Sequence, residues 1–313
     1  SSGVPNSVIC DTITLTYNDA ESVENIFLEK GDQIAAVIVE PVAGNMGVIL
    51  PEESFLKTLR NVTEKYRAIL ILDEIITGFR VNYGGAQKIY NIDPDLTCLG
   101  KIIGGGLPVG AYGASSDLME FVSPLGSMYQ AGTLSGNPLA LAAGLATLEN
   151  LTSEVYQELE RKGALLEQEL VEAISSCGVT AHLNRVGSML SVFFTDQRVQ
   201  DNETAFSTDR ALYGRLFHGL LQRGIYPPPS ALETWFVSAA HDDSQIEQTV
   251  TAFKAALEEA LTLTPDDAEA IVILAKVERE LGFAKQAMER LARCVAADPE
   301  DIDAHVELAD LYL

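Results

Sequence analysis

Short apolar runs alternate with helical periodicity through the first 145 residues. Ile34 to Val39 is unbroken apolar sequence ending at Glu40-Pro41, and it predicts a buried strand. Phe55, Leu59 and Val62 recur at helical spacing within Glu52 to Tyr66, which predicts a helix. Residues 68–72 and 96–100 predict two further strands, and 109–114 a short fourth. Strands that alternate with helices imply an α/β domain built on a mostly parallel sheet, whose ligands sit beyond the carboxyl ends of the strands.

The pattern then changes. Residues 137–175 read as helical, with Pro138 suited to a first turn after Gly136-Asn137. The alanine-rich run 139–151 predicts a buried helix, and 153–174 a charged amphipathic one. Strand-like pieces at Gly187 to Phe194 and Trp235 to Ser238 flank a helix over 209–223, and a last helix covers 243–261. This predicts a smaller α+β domain over residues 146–262, after a large domain over 1–145.

Residues 263–313 differ again. Pro265 and Pro299 lie 34 residues apart, and two helical patterns, 268–281 and 284–297, meet between them at Gly282. That period predicts a helical tail like a tetratricopeptide repeat. Leu274, Ala275, Ala287 and Leu291 take the large and small positions of one copy. Leu308, Ala309 and Tyr312 begin a second. The alternative is an acidic helical hairpin without repeat kinship. Twelve acids face five bases in this segment, and a repeat surface of this kind suits a protein partner.

Composition narrows the function classes. A chain of 313 residues with 47% hydrophobic content is long enough for more than one core. A formal charge of −24 argues against nucleic acid and against an anionic membrane surface, since both require basic patches. No apolar stretch is long enough to span a bilayer. Cys10, Cys98, Cys177 and Cys294 lie far apart, as do the four histidines, so free thiols and no metal site are expected. A reducing, cytoplasmic setting follows from that reading. The chain opens at Ser1 without a domain start, and the expectation is that it begins inside a longer protein.

Candidate chemistry sits at two strand ends. Ile69 to Leu72 is followed by Asp73, and Leu96 to Gly100 by Lys101, which opens the glycine-rich run Ile102 to Gly110. An amine and a carboxylate placed in this way suit pyridoxal phosphate. The amine joins the cofactor as a Schiff base, and the carboxylate keeps the pyridine nitrogen protonated. Singly, a lysine before glycines is most often a solvated loop residue and an aspartate at a strand end a turn or helix cap. The pair is more specific than either half.

Five segments, in order and spacing, carry a family resemblance: Glu40 to Gly47, Leu72 to Arg80, Leu99 to Gly113, Gln130 to Pro138 and Tyr226 to His241. Over residues 1–260 the chain resembles the glutamate-1-semialdehyde 2,1-aminomutases, a group of class III aminotransferases of PLP fold type I. The resemblance implies an enzyme using pyridoxal and pyridoxamine 5'-phosphate that converts glutamate 1-semialdehyde to 5-aminolevulinate for tetrapyrrole synthesis. It implies Lys101 as the Schiff-base lysine and proton carrier, with Asp73 as partner of the pyridine N–H. Ile75 would pack on a ring face, and Asn45 would lie near the ring hydroxyl or substrate. Thr133 would reach the cofactor phosphate of a neighbouring subunit, which implies a homodimer. Glu233 would face the substrate's amine side, although Thr234-Trp235 stands where small residues are usual and a triple proline lies nearby.

The family also carries an N-terminal portion supplying the phosphate-cradling loop and an aromatic stacked on the ring. The expectation is therefore that this chain alone holds the cofactor weakly and has little activity. Two alternatives remain at this level: an ordinary class III aminotransferase exchanging amino groups between two substrates, and a non-catalytic interaction module acting through the tail. A plastid location also stays open.

Overall fold

A computed structural model describes residues 3–262, 272, 275, 276, 278, 279, 283–297 and 302–312. The chain divides into two compact units, one formed by Ser1–Asp209 with Pro228–Val250 and the other by Arg210–Pro227 with Thr251–Leu313.

After one helical turn at Asn6–Ile9, the first unit continues with helix α1 (Ala20–Lys30), strand β1 (Ala36–Val39), helix α2 (Glu53–Tyr66) and strand β2 (Ile69–Asp73). Helix α3 (Gly85–Tyr90) and strands β3 (Leu96–Gly100) and β4 (Gly110–Ala114) follow. The strands pair in the order β1-β2-β3-β4, parallel except for the last, which is antiparallel. The expected mostly parallel sheet is present. Asp19 starts α1 by accepting the Ser22 N–H at 2.9 Å, and Arg67 ends α2 in the left-handed conformation.

Two expectations about burial are corrected. β1 is a strand, but it is not buried: Ile38 is 65% exposed. Val37, Val39 and Leu70 pack with Phe27, Phe55 and Leu59 of α1 and α2, so among the described residues these helices cover one face of the sheet at this edge. Helix α4 (Pro138–Glu149) also forms as expected, capped by Asn137, yet Leu139 is 71% exposed and only Ala140 and Gly144 of it are buried. Its one tight seat is the turn after β3. There Gly144 lies so close to the Ile103 carbonyl that a Cβ could not be accommodated. An apolar run reports that a segment wants cover, not that the described residues supply it.

Helix α5 (Ser153–Ser176) leads to a second, antiparallel sheet. It comprises β5 (His182–Val186), β6 (Met189–Phe193) and β7 (Trp235–Phe236), in that order. Between β6 and β7 run α6 (Asn202–Phe206) and α7 (Arg210–Gln222), and α8 (Asp243–Thr262) follows. Strand β6 is buried throughout, and the loop after β1 packs on it. Val42 and Val48 join a cluster with Met189, while Ala43 and Ile49 join one with Phe193. Gly47 allows this approach. It stands at φ 80°, and a side chain there would enter the Phe193 ring.

In the second unit, α7 and α8 approach closely at Gly219 and Ala256, and Arg215 Nε donates to the Ala260 carbonyl near the end of α8 at 2.8 Å. Helices α9 (Ala284–Ala297) and α10 (Ile302–Tyr312) follow. Ala275, Ala287, Leu291, Cys294 and Ala304 are buried together, with Leu308 and Leu311 packed against them. Ala309 is exposed. Leu274, Pro265 and Pro299 lie outside the described residues, as does the Tyr312 side chain.

Candidate active site

The carboxyl ends of β2 and β3 lie side by side, because Asp73 pairs in register with Cys98. Asp73 Oδ1 accepts the Ile75 N–H at 3.0 Å, and its second oxygen has no hydrogen bond among the described residues. The Asp73 charge reaches Cys98. Burial first, and then this neighbouring carboxylate, push the thiol above its ordinary pKa.

Three residues beyond Cys98, Lys101 begins a 3₁₀ turn at φ 46°. A side chain in this left-handed region costs about 1–2 kcal/mol. Strain of this kind, at a residue whose exposed amine makes no ion pair among the described residues, points to a functional position.

Ile75 and Ile76 join three loops at this point. A Cβ at Gly100 would lie 3.1 Å from Ile75 Cγ2, so Ile75 rests against the residue before Lys101. A Cβ at Gly44 would lie 2.9 Å from Ile76 Cδ1, which places the Gly44-Asn45 loop against the segment after Asp73. That loop is held from within by Glu40, whose carboxylate accepts the Gly44 N–H at 2.8 Å and Asn45 Nδ2 at 2.9 Å.

Tyr17 holds the loop's base. Its hydroxyl is shared between the carbonyls of Glu40 (3.2 Å) and Pro41 (3.1 Å), and burial raises its pKa far above the usual phenol range. Tyr17→Phe keeps the ring on Phe55 but loses both bonds. The expected outcome is a loss of about 1 kcal/mol, measured as a lower denaturant midpoint with unchanged slope.

Glu233 arrives from the second sheet. Its side chain is exposed, and the next residue, Thr234, is buried and donates from Oγ1 to the Gly44 carbonyl at 3.1 Å. Trp235 is buried in β7 opposite Leu190. Thr234 and Trp235 are thus both buried. Asn45, Asp73, Ile75, Lys101 and Glu233 are linked in this way by contacts of their own loops. Thr133 is not brought to this cluster, for it lies in the exposed turn Gly132 to Gly136 that precedes α4.

Sequence reasoning missed Glu74. Its side chain is fully buried and takes three hydrogen bonds: from Thr77 Oγ1 (2.7 Å), Ala86 N (2.8 Å) and Gln87 N (2.8 Å). Its backbone N–H meets the Cys98 carbonyl at 3.0 Å and clasps the two strand ends. The carboxylate caps α3, and only a glycine fits at position 85: φ is 70°, and a Cβ would lie 2.5 Å from Glu74 Oε1. The signal available in sequence was the glycine pair Gly84-Gly85 at a helix start.

The donor set fits the expected cofactor. Among the described residues, Asp73 keeps one oxygen without a hydrogen bond for a ring N–H, Lys101 at the end of the neighbouring strand makes no ion pair, and Ile75, 36% exposed, offers an apolar surface near both. Two clefts, of about 240 Å³ beside α2 and about 440 Å³ beside β3 and β4, share none of these residues, so the site is identified by its chemistry rather than by cavity size.

Comparison with known proteins identifies the family. The family profile described as aminotransferase class-III matches residues 4–257. A glutamate-1-semialdehyde 2,1-aminomutase of Desulforamulus reducens is 54% identical over 264 residues, covering 83% of this chain and 61% of that protein. One from Desulfitobacterium hafniense is 56% identical over 251 residues, with coverages of 80% and 58%. The chain thus spans about six tenths of the length of these curated relatives. Among solved structures, an omega-transaminase from Sphaerobacter thermophilus aligns with TM-score 0.79 at 32% identity, covering 83% of this chain and 60% of that one. A glutamate-1-semialdehyde aminomutase from Pseudomonas aeruginosa in complex with PMP aligns with TM-score 0.73 at 26% identity, with the same coverages.

Proposed function

This chain belongs to the class-III aminotransferase family, and from that premise we propose that the whole protein is a pyridoxal-phosphate-dependent glutamate-1-semialdehyde 2,1-aminomutase. The observation that carries the reading is the pairing of Asp73 and strained Lys101 at adjacent strand ends. The curated relatives, more than half identical and named as aminomutases, favour the mutase over amino exchange between two substrates.

When bound, the cofactor would supply an electron sink and an exchangeable amine, one given to the aldehyde carbon and another recovered from its neighbour. The chain's residues do the rest. Asp73 holds the proton on the ring nitrogen through its free oxygen. Lys101 Nζ takes a proton from one substrate carbon and returns it to the other, which requires an amine tethered close to both. Ile75 shields a ring face from water, and Asn45, steadied by Glu40, hydrogen-bonds the ring hydroxyl or the substrate. Glu233 disfavours an incoming amino-acid carboxylate by like charge. Thr133 serves the phosphate of a second subunit, and the functional unit is a homodimer.

The division into a large PLP domain (1–145), a small domain (146–262) and a tetratricopeptide-like tail (263–313) that docks a protein partner belongs to the same proposal, as does a cytoplasmic site of action. Among the described residues no helix is long and apolar enough to cross a membrane. The test is substrate turnover by the whole protein supplied with pyridoxamine phosphate. Formation of 5-aminolevulinate without an amino donor is expected, and an absolute requirement for an added amino acid and keto acid would reject the mutase.

A further inference from the structure

We propose that Thr234 is a positioning residue that locks the loop carrying Glu233 to the loop carrying Asn45. The inference rests on the functional reading of those two residues and extends it to one that touches neither substrate nor cofactor.

Three observations converge. The Thr234 hydroxyl is buried and bonds the Gly44 carbonyl across 190 positions of sequence. The same two loops meet again through buried Ser191 of β6, whose Oγ accepts the Val48 N–H at 2.9 Å and donates to the Glu233 carbonyl at 3.3 Å. Glu40 then binds both Gly44 and the Asn45 side chain. The peptide that joins Glu233 to Thr234, and the Thr234 side chain, are therefore tied to the loop that presents Asn45. Both side chains stay exposed while their backbones are fixed. The geometry sets the spacing between a carboxylate and an amide that face one substrate. A residue without a hydroxyl at position 234 would leave the Gly44 carbonyl without this donor. Buried hydrogen bonds spanning distant segments make such loops open together rather than separately.

The experiment is residue-resolved amide hydrogen exchange on the full chain, comparing the parent with Thr234→Val, which keeps the shape, and Thr234→Ser, which keeps the donor. In Thr234→Val, exchange at Gly44, Val48 and Glu233 is expected to accelerate together by about tenfold, the equivalent of one buried hydrogen bond. Glu74, whose N–H bonds the Cys98 carbonyl just beyond β2, keeps its rate, and Thr234→Ser matches the parent. Acceleration confined to the Glu233 side, no acceleration, or equal effects of Val and Ser overturns the lock.

In the whole protein, Thr234→Val is further expected to raise the share of turnover drawn from an external amino acid relative to internal transfer, while Thr234→Ser leaves it unchanged. Coupled exchange with an unmoved share overturns the positioning role. Failure of the underlying functional reading shows separately, as donor dependence of the unmodified protein.

Discussion

Lys101→Ala abolishes the covalent attachment of pyridoxal phosphate to this chain. With excess cofactor followed by borohydride, the unmodified chain acquires one reduced adduct on the peptide containing Lys101, found by mass spectrometry. In the variant, labelling falls to the level of ordinary surface lysines, a drop of about tenfold or more, because a proximal amine gains from orientation and an unplaced one does not. The reason lies in the backbone. Gly100 lies against Ile75, the turn holds Lys101 at φ 46°, and α4 rests on that turn through Gly144. Lys101→Gly separates function from fold. It loses attachment as fully as alanine does, yet it relieves the left-handed strain and gains about 1 kcal/mol of stability. Labelling of Lys101→Ala equal to that of the parent would remove this residue from its role.

Glu74→Ala destabilises the first unit more than any other single change discussed. Three donors lose their acceptor in a fully buried place, and each unpaired donor costs about 1–3 kcal/mol. A loss of about 3 kcal/mol or more is expected, a large fraction of the roughly 5–15 kcal/mol that separates folded from unfolded domains. Glu74→Gln retains one acceptor while turning an N–H₂ toward the remaining donors, so about half that loss is expected. Denaturant unfolding of both variants decides it: midpoints equal to the parent's would mean that the Thr77 hydroxyl and the α3 amides find other partners. Because Glu74 N also bonds the Cys98 carbonyl, the same change loosens the register that sets Asp73 beside β3.

The sequence by itself determined where β2 and β3 run, that they belong to a mostly parallel sheet, and that a carboxylate and an amine close them. Those features are local, since apolar runs bounded by polar punctuation need no partner to be recognised. It also located α2 and α4, whose periodicity or capping is self-contained. It did not disclose β5, because His182-Leu183-Asn184-Arg185-Val186 alternates too weakly to read as a strand until β6 pairs with it. It read the runs at β1 and α4 as buried, although burial depends on which surfaces lie against them.

Tertiary structure alone decided the rest. Glu74 looks like a solvated acid beside Asp73 until α3 folds its amides around it, and Thr234 looks like an irregularity until Gly44 arrives from 190 residues away. Both depend on long-range hydrogen bonds. Such bonds carry no sequence periodicity, and they acquire their strength only when the folded chain excludes water from them.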